Sequence, residues 1–185
     1  MGGWGWGLGI RFLGFGIWVL GLGFWDWGLP SMAHRFRDPH CIFCKIVDQE
    51  LSSARILESA EAVAFLDINP VNPGHVLVVP KEHHVELSEL PEAVAAATAS
   101  LLPLLCRAIA AATGADGLNV IVNNGRAAGQ TIDHCHWHII PRFEDDPVNW
   151  PWPQGEYAGD ELGQMRFRIE RELDQGAGHA HGRDA

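Results

Sequence analysis

Beyond residue 40 the chain alternates short apolar runs with turn-forming clusters, and this pattern predicts five strands and two helices. Arg55 to Leu57 and Ala62 to Leu66 read as short strands. His75 to Val79 is a β-branched run set between Asn72-Pro73-Gly74 and Pro80, as expected of a buried strand with a turn at each end. Pro91 to Thr113 is rich in Ala and Leu and is followed by Gly114, so one long helix is expected there, with Pro91 in its first turn and a kink at Pro103. Leu118 to Asn123 alternates into another strand, Asn124-Gly125 turns, Ala127-Ala128-Gly129 makes a small-residue loop, and His134 to Ile140 is the fifth strand. A Pro/Trp loop covers Asp146 to Tyr157, and Asp160 to Leu173 has helical spacing. Strands interrupted by one long helix give an α+β fold with an antiparallel sheet.

The first 31 residues break this pattern. They are Gly, Trp, Phe and Leu, relieved by Arg11 and Asp26. Three readings stand: an over-extended gene start with the true beginning at Met32, a membrane-associated segment, or a signal peptide ending at Ser31-Met32-Ala33. The run from Phe12 to Trp25 is shorter than the roughly 20 residues of a spanning helix, and its glycines weaken any helix, which argues against a membrane partner.

Charge narrows the partners. Thirteen basic against twenty-three acidic side chains give a net charge of −10, and no Lys/Arg stripe offers phosphates a track, so nucleic acid is not the expected partner. A small anionic substrate then requires local donors that outweigh a field screened beyond about 10 Å. Of the four cysteines, Cys41 and Cys44 sit at CxxC spacing, while Cys106 and Cys135 lie alone in apolar segments as core residues. That usage fits a reduced, cytoplasmic chain better than a disulfide framework. A redox pair would want accessible sulfur, whereas bulky Ile42 and Phe43 stand between these two, which favours metal binding.

The segment richest in chemistry is Gly129-Gln130-Thr131-Ile132-Asp133-His134-Cys135-His136-Trp137-His138-Ile139-Ile140. On a strand, side chains alternate faces, so His134, His136 and His138 stand in a row about 7 Å apart while Cys135, Trp137 and Ile139 point the other way. A lone histidine there would read as a hydrogen-bonded core residue, but three at period two on an apolar strand are hard to place by accident, and His-x-His also suits zinc or copper. The glycines of 125–131 do not make a phosphate loop, because the Gly-Lys-Ser/Thr ending is missing.

The same segment resembles the signature of the histidine-triad (HIT) family, histidines alternating with apolar residues. The resemblance extends through Cys41-Ile42-Phe43-Cys44-Lys45-Ile46, Phe65-Leu66-Asp67-Ile68-Asn69-Pro70, Pro73-Gly74-His75, Pro80-Lys81-Glu82-His83 and Val122-Asn123-Asn124-Gly125. It implies a HIT-like α+β fold over residues 38–145, after a non-domain extension at 1–32 and before a C-terminal loop and helix at 146–174 and a disordered tail at 175–185. It implies His136 as a nucleophile that carries a nucleotidyl group. His138 would donate to a phosphate oxygen, and Asn123, Gly129, Gln130 and Thr131 would supply further donors. Asp67 would accept from the ribose hydroxyls, or else only initiate the turn before Asn69-Pro70. Ile42, Phe43 and Ile46 would form the slot for the base, or be plain core, and the role of His75 stays open. Some family members hold a structural zinc, and the matching residues are Cys41, Cys44, His83 and His134, with His84 as the alternative ligand. No catalytic metal is expected.

The implied activity is hydrolysis of nucleoside 5′-phosphoryl compounds, either phosphoramidates or dinucleoside polyphosphates, by a homodimer. A nucleotidyl transferase and a non-catalytic nucleotide-binding protein are the alternatives.

Overall fold

In the computed structural model, residues 36–149 and 151–180 are described; the N-terminal extension with its three readings, and Trp150, lie outside them. Five strands form one antiparallel sheet in the order β1-β2-β3-β5-β4, with β1 Arg55–Glu58, β2 Ala62–Leu66, β3 Val76–Pro80, β4 Gly117–Val122 and β5 Trp137–Arg142. The α+β class and all five strands match the expectation.

Strand alternation divides the core into two. Ala62, Ala64, Leu66, Val76, Val78, Trp137 and Ile139 face one side. There they pack on Leu105, Ala108 and Ile109 of helix α3 (Leu102–Thr113) and on Met165, Ile169 and Leu173 of helix α4 (Glu161–Ala180). Val63, Phe65, Leu77 and Val79 face the other side and pack against Phe43, Cys44, Ile46 and Val47 of a short helix α1 (Ile42–Val47). Cys135 falls on the first side, as the alternation predicts, so His136 and His138 belong to the α1 side.

Helix α1 is too short to be stable alone. Its last carbonyls are closed by the Arg55 guanidinium, which donates to Ile46 O and, at 3.1 Å, to Val47 O. The long helix expected over Pro91–Thr113 runs from Glu92 to Thr113 with the expected kink, an interruption at Ser100-Leu101 that divides it into α2 (Glu92–Ala99) and α3. Pro103 causes the break, because it has no N–H and its ring clashes with the carbonyl four residues back. Gly114 ends α3 as expected, in the left-handed conformation with φ of 69° and its N–H bonded to Ala110 O at 2.9 Å.

Helix α4 continues to Ala180, so residues 175–180 are helical where a disordered tail was expected. No proline interrupts that stretch, and each glycine costs only about 1 kcal/mol against alanine. Strand β5 starts at Trp137, three residues later than predicted. Its partner β3 ends at Pro80, which has no N–H for the ladder, and the Pro80 carbonyl instead accepts the His134 ring N–H at 3.0 Å.

Candidate active site and metal centre

The register of β5 with β3 and β4 sets Leu77 and Ile121 on either side of His138. His136 comes just before the strand. Its Nδ1 lies 2.6 Å from His134 O, and since a carbonyl only accepts, Nδ1 carries the proton and Nε2 keeps its lone pair. Burial holds His136 below the usual histidine range, partly opposed by that backbone bond, so the ring is neutral near pH 7. Phe43 meets it edge-on at 5.1 Å between centroids, and the His138 ring lies 4.7 Å away.

Behind His138 stands His75. Val71 N–H donates to His75 Nδ1 at 3.3 Å, His75 Nε2–H then donates to His138 Nδ1 at 2.9 Å, and His138 Nε2 is left as a buried N–H without a partner among the described residues. Burial pushes His75 down to about 3 and His138 down to about 2, with the neighbouring imidazoles adding to it. Three neutral rings therefore present one lone pair, on His136, and one donor, on His138. Trp152 covers the far face of His138 at 5.3 Å, edge-on.

His136 and His138 open on a cavity of about 420 Å³, within the range of small-molecule sites, while His75 stands behind them. Ile42, Phe43 and Ile46 line it, as do Asp67, Thr131, His136 and His138, so seven of the ten predicted catalytic and substrate-binding residues meet there. Asp67 Oδ1 accepts Asn69 N–H at 2.9 Å and Oδ2 lies 3.5 Å from His75 Nδ1; burial moves its carboxyl upward, against the Asn69 bond.

Asn123, Gly129 and Gln130 do not line the cavity. The side chain of Gln130, expected to donate to phosphate, is already spent: Nε2 donates to Val85 O at 2.7 Å and Ile132 O at 3.0 Å, and Oε1 accepts Gly125 N–H at 2.7 Å. Buried and fully bonded, it clamps the loop before the triad. The Gly129 N–H is likewise bonded, to Arg126 O at 3.0 Å, at the end of a 3₁₀ turn where its φ of 89° requires glycine. Sequence reasoning missed Phe65, Leu77, Ile68 and Ser53, which also line the cavity. For Phe65 and Leu77 the signal was available, since they share the β2 and β3 face that turns toward α1.

Cys41, Cys44, His83 and His134 are all buried and bring their ligand atoms within 4.8 Å of one another. Cys41 Sγ and His134 Nδ1 are 3.4 Å apart, Cys44 Sγ and His83 Nδ1 3.4 Å, and the two Nδ1 atoms 3.3 Å. A zinc tetrahedron with bonds of about 2.0–2.3 Å has edges of about 3.3–3.8 Å, so the set fits. The His134 Nε2–H bond to Pro80 O leaves Nδ1 free as the ligand atom. Burial pushes the Cys44 thiol up to about 11. His84 stands outside the set, with Nε2 3.2 Å from Glu82 Oε1.

Fold and site together have the form of a histidine-triad protein. The HIT domain matches residues 48–145. Adenosine 5'-monophosphoramidase hnt1 of Schizosaccharomyces pombe is 43% identical over 134 residues, 72% of this chain and 98% of that protein. Adenylylsulfatase HINT3 of Arabidopsis thaliana is 41% identical over 135 residues, 73% of this chain, which spans only 64% of the plant protein. Among solved structures, a zinc-bound histidine triad family protein from Mycobacterium smegmatis superposes with a TM-score of 0.68 at 32% identity, covering 76% of this chain and 97% of the other. The chain belongs to the HIT family.

Proposed function

We propose that the protein hydrolyses adenosine 5′-phosphoryl compounds with small leaving groups, phosphoramidates first, through a covalent intermediate on His136. The observation that carries this reading is the 2.6 Å bond from His136 Nδ1–H to His134 O, which fixes the tautomer and leaves Nε2 as the nucleophile beside the cavity. In the first step the Nε2–P bond forms and the bond from phosphorus to the leaving group breaks, the leaving group keeping the electron pair and taking a proton from solvent. The unpartnered His138 Nε2–H is the donor for a non-bridging oxygen as charge builds there. In the second step water forms a new O–P bond and gives its proton to solvent, the N–P bond breaks with the electron pair returning to Nε2, and neutral imidazole is restored with release of a nucleoside monophosphate. Asp67 accepts from the ribose, and Ile42, Phe43 and Ile46 hold the base. The names of the yeast and plant relatives support an adenylyl group joined to an amine or to sulfate.

The Cys41, Cys44, His83 and His134 set would hold one structural zinc, closed to substrate and tying the segment around α1 to the start of the triad. The outer edge of β4, with Val120 43% exposed, supports pairing of two copies into a homodimer.

The test is turnover of adenosine 5′-phosphoramidate by the wild type and by His136→Ala. The variant is expected to lose turnover while binding adenosine monophosphate within about tenfold, since His136 forms its bond only during reaction. Acid quenching of the wild type should trap protein heavier by one adenylyl group. An active His136→Ala variant refutes the mechanism, and adenylyl transfer to added phosphate would make the protein a transferase.

A further inference from the structure

Ser53 lies just before β1, and no reading of the motifs touches it. Its hydroxyl oxygen is buried without a hydrogen-bond partner among the described residues, and the residue lines the cavity beside the triad. A buried hydroxyl left unpaired is costly unless a ligand or water completes it.

The sheet register shows what it faces. Arg55 pairs with Phe65, and Leu66 N–H donates to Ala54 O at 3.0 Å, so the same antiparallel register brings Ser53 opposite Asp67. Directly opposed residues share a face, with Cβ atoms about 4.5–5.5 Å apart. The two side chains are chemically complementary. The Asp67 carboxylate can only accept, and each hydroxyl of a ribose both donates and accepts. A sugar that donates to Asp67 therefore still has oxygen lone pairs to fill, and Ser53 brings the donor that the carboxylate lacks.

We propose that Ser53 is the second polar contact of the sugar, its hydroxyl donating to a ribose hydroxyl that Asp67 accepts from, so that the pair selects ribonucleotides over deoxyribonucleotides. This rests on the nucleotide reading of the cavity. Unlike the Asp67 carboxylate, the Ser53 hydroxyl has no bond among the described residues that its loss would break.

The experiment is calorimetric binding of adenosine monophosphate and of its 2′-deoxy and 3′-deoxy forms to the wild type and to Ser53→Ala and Ser53→Thr, with melting temperatures alongside. Ser53→Ala is expected to weaken adenosine monophosphate by about tenfold and to leave one of the deoxy forms, the one lacking the contacted hydroxyl, within about twofold. Ser53→Thr should restore the preference. The melting temperature should hold or rise, whereas a merely structural serine would lower it on removal. Equal weakening of all three ligands, or no weakening of any, overturns the assignment. A wild type that binds none of the three overturns the nucleotide reading and this inference with it, whereas normal wild-type binding that Ser53→Ala leaves unchanged overturns the role of the serine alone.

Discussion

Acid should unfold this protein through histidines that the fold keeps neutral. His75 has the ordinary value of 6.5 in the unfolded chain and about 3 in the fold. Above 6.5 both states are neutral and the stability is fully present; as the pH falls from 6.5 toward 3 the unfolded chain takes up the proton and the fold does not, so stability is lost. Linkage puts the loss by about pH 5 on the order of 2 kcal/mol for His75. His138, pushed down to about 2, adds a similar loss on the same side of 6.5. Asp67 works the other way, because burial raises its carboxyl and the fold gains protons there before the unfolded chain does. Burial lowers His83, His134 and His136 as well, so against a total of roughly 5–15 kcal/mol for an ordinary domain the buried histidines together set the acid limit. Urea unfolding of the wild type and of His75→Asn, each at about pH 7.5 and about pH 5, reads the contribution of His75 together with what it adds to His138, since contributions common to both proteins cancel in the difference. The wild type is expected to lose on the order of 2 kcal/mol more than the variant across that interval. Identical pH dependence in the two proteins would refute the reasoning.

Three further outcomes are expected. Cys41→Ser should lower zinc content and melting temperature together, with turnover retained by the folded fraction; zinc well under half an equivalent in the untagged wild type would return the cysteines to plain packing. Turnover should survive chelator on the assay timescale, because imidazole and fixed donors supply what a metal would, and loss restored by Mg²⁺ with the fold intact would count against this. Gly74→Ala should destabilise by about 2–4 kcal/mol in thermal melts: the φ is 96° and a Cβ would sit 2.5 Å from Thr113 Cγ2, so an unchanged melting temperature would contradict the packing described.

What could be read from the sequence follows the range of the interactions involved. The alternation that separates His136 and His138 from Trp137 and Ile139 is local, and the two faces came out as expected. Gly114 as a helix stop is equally local. Helix α1 is not, because it depends on Arg55 reaching back to its carbonyls, and six residues carry too little periodicity to announce it. The late start of β5 turns on Pro80 in another strand. Gln130 illustrates the limit for side chains: its type fits a phosphate donor, and only the loop carbonyls of Val85 and Ile132 show that its amide is occupied. Ser53 gave no signal at all, since its meaning lies in the register that sets it across from Asp67.

His134 takes part in two sites through different parts of itself. The imidazole belongs to the Cys/His set, whereas the oxygen that holds His136 belongs to the main chain. Any residue at this position brings a carbonyl, but only a few bring a metal ligand. The two assignments are thus open to independent change: a substitution at 134 that removed the ring from the Cys/His set would leave the carbonyl that fixes the His136 tautomer, provided the backbone path survives. One residue serves the Cys/His set and the His136 tautomer without using the same atom for both.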